Sequence, residues 1–195
     1  MLGHEFYPEG KLSQPLSRDP ILEAQRNWER HGWEDVAEPM AAITALMRTQ
    51  QILLQRAETV LKPFGLTFAR YEMLALLSFT RDGALAMNRA SALLQVHATS
   101  VTNAVDRLER AGLVARTKHP TDKRTTLIAL SEQGRDLAAA ATKELNAKVF
   151  ADSGFSDRDI STLIRIFSKF RRDAGDFAPE VSGSEQQGRS THEPR

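Results

Sequence analysis

The chain has 195 residues, 41% of them hydrophobic, with 26 Lys/Arg against 25 Asp/Glu and no cysteine. That length suits one domain of good size, or one domain with an appended dimerisation element, and the missing cysteines exclude disulfides, thiol nucleophiles and thiolate zinc sites. No apolar run approaches the roughly 20 residues of a membrane helix, and the leading residues carry acids and prolines instead of a basic region before an apolar core, so no signal peptide and a cytoplasmic location are expected.

Residues 1–18 mix Gly, Pro and Ser and are expected to form a flexible arm. Asp19 and Pro20 make a good helix start, as N-cap and first helical residue, and Gly32 ends that helix after about His31. A second start stands at Glu38-Pro39. From there Met40, Ile43, Leu46, Met47, Leu53, Leu54, Ala57, Val60 and Leu61 keep a helical pattern up to Lys62, and Pro63 and Gly65 stop it. This helix is apolar over more than one face, so part of it is expected to face a partner subunit, and residues 19–62 are assigned as N-terminal dimerisation helices. Phe68 to Phe79 predicts a third helix, Asp82-Gly83 a turn, and Asn88 to Gln95 the first helix of a helix–turn–helix. Its second helix runs from about Ala98 to Ala111, with Gly112 as cap. Leu113–Thr117 and Thr125–Leu130 predict two short strands joined by a charged tip, which completes a winged domain over 63–130. Ser131 caps a helix to about Phe150 along Leu137, Ala141, Leu145 and Val149. Ser156 caps the last one, with Asp159 in a near capping box and Ile160, Leu163, Ile164, Phe167 and Phe170 as its apolar face. Residues 131–173 thus read as two C-terminal helices, which the resemblance given below implies to be dimerisation helices, and 174–195, rich in Gly, Ser, Glu and Gln, as a disordered tail. The fold class is mainly α with a small β-wing.

The near-zero net charge hides an uneven distribution. Met87 to Leu130 holds seven Lys/Arg against three Asp/Glu, whereas Met1 to Met40 holds four against eight. A basic excess on the winged segment is what phosphate binding requires. In the second helix of the motif, Val101, Ala104, Val105 and Leu108 recur at spacings of three and four and form one apolar stripe. Thr99, Ser100, Thr102, Asn103 and Arg107 fall largely off it. An Asn can bond an adenine edge twice and a Thr can offer its methyl to thymine, so these are candidate major-groove contacts. The alternative for Thr99 and Ser100 is that they only cap the helix. Arg107 and Arg110 suit phosphates, although Arg107 equally suits an acid within the domain. Arg116, Lys118, His119 and Lys123 are candidate phosphate contacts around the wing, against the plainer reading of a solvated face. The five histidines are scattered, no Ser/His/Asp order or Gly-rich phosphate loop appears, and neither catalysis, metal nor cofactor is expected.

Two stretches, T-S-V-T-N-A-V-D-R-L-E-R-A-G-L-V-A-R from Thr99 to Arg116 and D-K-R-T-T-L-I-A-L-S-E-Q-G from Asp122 to Gly134, resemble the MarR family of bacterial transcriptional regulators. The resemblance covers about residues 38–172. It implies a winged helix–turn–helix homodimer with interlaced N- and C-terminal helices, one winged unit on each half-site of a pseudopalindromic DNA operator. It also implies that Arg124 is the wing-tip residue in a narrow minor groove, with Asp122 restraining it; without it, the two are a solvated hairpin pair. Ile21 to Trp33 is similar to the extra leading helix of the family's urate-responsive branch, including Trp28. Glu72 and Ala104, however, stand where that branch has an aspartate and an arginine, so the helix is carried over and the urate response is not. The family commonly binds small anionic aromatic compounds between dimer helices and reader. Trp28, Trp33, His31, Met47, Arg48, Phe64, Phe68 and Tyr71 are the candidates for such a pocket, and core packing is their alternative role. The expected function is a sequence-specific repressor released by a small, anionic aromatic ligand. The alternative is a sequence-indifferent DNA-coating or architectural protein on the same fold.

Overall fold

The computed structural model describes residues 16–94, 98–119, 121–122 and 124–178. Most of the expected arm and tail, and Lys123 of the wing, lie outside these residues. Helix α1 (Pro20–Arg30) starts as its sequence dictates: Asp19 stands outside the helix in extended conformation and its carboxylate accepts from Ile21 N–H at 2.9 Å. Gly32, at φ +81°, turns the chain into α2 (Glu34–Leu61). This helix begins four residues before the expected Glu38-Pro39 start, so Pro39 sits inside it. A proline there forgoes one backbone bond; packing of α2 on α1, with Ala37 and Ala41 buried, overrides that local cost. At 28 residues α2 is about 42 Å long.

A short 3₁₀ turn at Lys62–Phe64 ends on Gly65 at φ +66° and leads to α3 (Phe68–Ser78), capped by the Thr67 hydroxyl. Next comes β1 (Ala84–Ala86), a three-residue strand that the sequence pattern does not announce. The helix–turn–helix follows as α4 (Met87–Leu94) and α5 (Ala98–Arg110), then β2 (Val114–Lys118) and β3 (Thr126–Leu130). The sheet is antiparallel with order β1-β3-β2, pairing Ala84 with Ala129 on one side and Val114 with Leu130 on the other. Strand β1 has no hairpin turn of its own and exists only because β3 offers it a free edge.

Helix α6 (Glu132–Leu145) is capped by Ser131 and continues as one π-helical turn, Asn146–Phe150. The core gathers Leu61 of α2, Met73, Leu74 and Leu77 of α3, Val101, Val105 and Leu108 of α5, Ile128 of β3 and Leu145 of α6, all nearly inaccessible to solvent. Each contributes roughly 1.5–3 kcal/mol relative to exposure. The residues from Ala151 onward form a separate unit. Its helix α7 (Asp157–Asp173) opens with a true capping box between Ser156 and Asp159, buries no residue and leaves Ile164, Ile166 and Phe170 exposed. Beyond it, Asp176 pairs with Arg171, so ordered contacts reach past the expected start of the tail at 174. No helix among the described residues is long and apolar enough to cross a membrane.

Candidate nucleic-acid interface

The apolar stripe of α5 does what its spacing predicts. Val101, Val105 and Leu108 are buried, Ala104 is half-buried, and the opposite side stays open with Thr99, Ser100, Thr102, Asn103, Arg107 and Arg110 exposed. One face is anchored and a row of short hydrogen-bonding side chains is presented, with two arginines in the last turn. Among the described residues, Arg107, Arg110, Lys118 and Arg124 form no ion pair. Thr102 does have a bonding partner.

Arg116, read from the sequence as a candidate phosphate contact, differs from the other basic residues in being engaged within the domain. Its guanidinium pairs with both Asp106 and Glu109, one turn apart on α5, and its backbone N–H donates to Glu109 Oε1 at 3.0 Å. The hydrogen bond to Asp106, then that to Glu109, pushes its pKa up. Arg116 therefore ties the first wing strand to the reading helix. The intramolecular ion pair considered for Arg107 is made by Arg116 instead.

The wing tip is closed by side chains. Asp122 Oδ1 accepts from Arg124 N–H at 3.0 Å, and Asp122 Oδ2 accepts from the Thr125 hydroxyl at 2.7 Å. These two bonds, Thr125 first, hold the Asp122 carboxyl below its ordinary pKa. His119 N–H donates to Thr125 O, and Thr125 N–H to Asp122 O. His119 Nδ1 sits 3.2–3.3 Å from Thr121 N, Thr121 Oγ1 and Asp122 N. The expected partnership of Asp122 and Arg124 thus runs through the Arg124 backbone, leaving the guanidinium exposed. His119 acts inside the turn.

The base of the wing is bolted to α6. Ser131 Oγ donates to Gly112 O at 2.8 Å and accepts from Gly134 N–H at 2.9 Å. Gly134 has no room for a side chain: a Cβ there falls 2.0 Å from Leu113 O.

The candidate effector residues separate into groups. Trp28 meets Trp33 edge-on at 5.4 Å and His31 stacks on Trp33 at 5.7 Å, all at the α1–α2 turn. Phe68 and Tyr71 are neighbours on α3 at 6.1 Å, and Tyr71, buried, shares a hydrogen bond with Thr142 of α6. Arg48 bonds Gln51 along α2, where Met47 is exposed. A groove of about 550 Å³ runs between the end of α2 and the outer side of α6, lined by Val60, Pro63, Phe64, Ala140 and Lys143 among others. Of the effector candidates, Phe64 lines it. Lys143 and the Lys148–Glu144 pair, which the sequence reading passed over, supply its charge. They are evident only once α6 lies beside α2.

Comparison with known proteins agrees with this geometry. The MarR family model matches residues 64–125. The structure is similar to Sco5413, a MarR family transcriptional regulator from Streptomyces coelicolor, at 44% identity over 73% of this chain and 99% of that one, with a TM-score of 0.66. It is similar to CouR from Rhodococcus jostii RHA1, a structure bound to p-coumaroyl-CoA, at 26% identity over 70% of this chain and 93% of that one, with a TM-score of 0.59. The HTH-type transcriptional regulator SarZ of Staphylococcus aureus is 25% identical over 118 residues, 60% of this chain and 78% of SarZ.

Proposed function

The chain belongs to the MarR family of transcriptional regulators, and from that premise we propose that it is a sequence-specific DNA-binding repressor, active as a homodimer in the cytoplasm. The observation that carries this reading is the division of labour on the winged domain. Helix α5 keeps Thr99, Ser100, Thr102 and Asn103 exposed on a buried apolar rail, while Arg107, Arg110, Lys118 and Arg124 hold unpaired cationic heads around it. Threonine and asparagine on a helix suit base edges in the major groove, and free cations suit phosphates. The Arg124 guanidinium suits a narrow minor groove beside it.

The exposed stripe of α2 supplies a partner surface. Val36, Ile43, Met47 and Leu54 lie within about 20° of one line along α2, at roughly 100° per residue. Two recognition helices in such a dimer meet a pseudopalindrome when they sit about 34 Å apart, one turn of DNA. A small anionic aromatic ligand that favours another spacing lowers affinity by its preference for that state. The binding of p-coumaroyl-CoA by CouR supports a ligand response of this kind.

Selection of binding sites from random DNA by the full chain is the direct test. A pseudopalindrome with half-sites one helical turn apart is the expected product. Arg124→Ala is expected to weaken binding to that duplex by about 1–3 kcal/mol at matched salt, measured by fluorescence anisotropy; unchanged affinity would remove Arg124 from the interface. A preference for the selected site below about 10³ over random DNA would favour the sequence-indifferent coating protein instead.

A further inference from the structure

We propose that His119 is a positioning residue of the wing: its Nδ1 caps the turn and so fixes the carboxylate that holds the Arg124 backbone. The inference rests on the DNA-binding reading above and deepens it. A backbone N–H has a hydrogen and no free lone pair, so it can only donate. Thr121 N and Asp122 N both approach His119 Nδ1, at 3.3 and 3.2 Å. That nitrogen is therefore the acceptor, and the ring's proton belongs on Nε2. The Thr121 hydroxyl, 3.2 Å from the same nitrogen, then donates as well.

The consequence passes along the turn. With its own N–H tied to the ring, Asp122 is oriented so that one carboxylate oxygen takes Arg124 N–H and the other the Thr125 hydroxyl. The strand ends close on the same knot, through His119 N–H to Thr125 O and Thr125 N–H to Asp122 O. Among the described residues of the wing tip, Thr121, Asp122 and Arg124 are exposed. Its shape depends on these bonds, and the ring nitrogen is where they converge.

Adding a proton to Nδ1 removes the lone pair and sets a donor against two groups that can only donate, the Thr121 and Asp122 N–H, while the Thr121 hydroxyl must turn to accept. The imidazolium then competes for the Asp122 carboxylate. Lys118 precedes the ring and Arg124 follows the turn, and both are exposed. Asp106 and Glu109 of α5 are committed to Arg116 in the middle of β2. Histidine changes charge between about pH 5 and 8, so acidification loosens the wing while leaving α5 in place.

The test uses the full chain and two duplexes, one carrying the half-sites recovered from random DNA and one scrambled to the same length. Binding is measured at fixed salt near pH 7.5 and near pH 5.5. The wild type is expected to lose roughly fivefold of its preference for the selected duplex on acidification. His119→Asn places an amide oxygen where Nδ1 sits and cannot titrate, so it should keep the wild-type preference at both pH values. His119→Ala should show the lowered preference at both. A pH-independent wild type, or an equal loss in wild type and His119→Asn, overturns the proposal. Nitrogen NMR of the free protein gives a readout without DNA: at neutral pH the His119 ring should carry its proton on Nε2, and a proton on Nδ1 overturns the cap outright. A chain that binds neither duplex would instead overturn the DNA-binding reading itself, and the ring tautomer would still judge the cap.

Discussion

Arg116 is committed on two sides of its guanidinium, to Asp106 and to Glu109, with 27% of its side chain exposed. Charged hydrogen bonds of this kind contribute more than neutral ones, less a discount for solvent screening. Arg116→Ala is expected to cost about 1–2 kcal/mol of stability by urea unfolding, and to leave two uncompensated carboxylates on the DNA-reading helix. Its loss of operator affinity should therefore exceed that of Lys118→Ala at the same salt. Glu72 shows the opposite case. Partial burial pushes its pKa up, so the fold disfavours the carboxylate. The folded state binds its proton more tightly than the unfolded chain does, and stability falls as pH rises through that window. Glu72→Gln should therefore equal or exceed the wild type in urea midpoint at neutral pH, and the difference should close on acidification.

Among the elements, the junction between wing and α6 is closely packed. Gly112, at φ +70°, turns the chain out of α5, Leu113 O receives Ser131 N–H, and Gly134 lies against the same carbonyl. Helix α6 is thus fastened to the end of α5 through backbone contacts that no rotamer change can relieve. Gly134→Ala should shift the start of α6 and cost about 3 kcal/mol or more in urea unfolding, far beyond the usual effect of Gly→Ala in a helix, which is stabilising. A near-neutral result would mean that α6 can slide at its first turn. The other end of α6 is held differently: its π turn leaves Lys148 O to accept from Arg56 of α2 at 2.9 Å.

At the scale of the whole molecule, the apolar faces left open by α2 and α7 point to a second copy. Met47 is 62% exposed and Phe170 72%, and stripes of this kind on a monomer mark association surfaces. Met47→Glu puts a charge in the middle of the α2 stripe. It is expected to shift the protein toward monomer in sedimentation equilibrium and to abolish one-turn-spaced operator binding, while leaving the far-ultraviolet circular dichroism of the fold intact. A dimer of unchanged stability would move the interface elsewhere.

Helix α5 and its two faces, the caps at Asp19, Ser131 and Ser156, and the charged hairpin are legible from the residues alone. Those depend on neighbours within a turn or two of helix, or on a few residues of a tight turn, and local chemistry is enough to settle them. The sequence also carried the family resemblance, because the Thr99–Arg116 and Asp122–Gly134 stretches are continuous in the chain. Tertiary structure decided the rest. Strand β1 forms because β3 presents an edge, α2 begins ahead of Pro39 because α1 packs on it, and Arg116 turns inward because Asp106 and Glu109 come within reach only when β2 folds back along α5. In the same way His119 becomes a cap once the turn closes around its ring. Each of these outcomes is set by a partner distant in sequence or by the exact path of a loop, and no periodicity in the residues themselves encodes such a meeting.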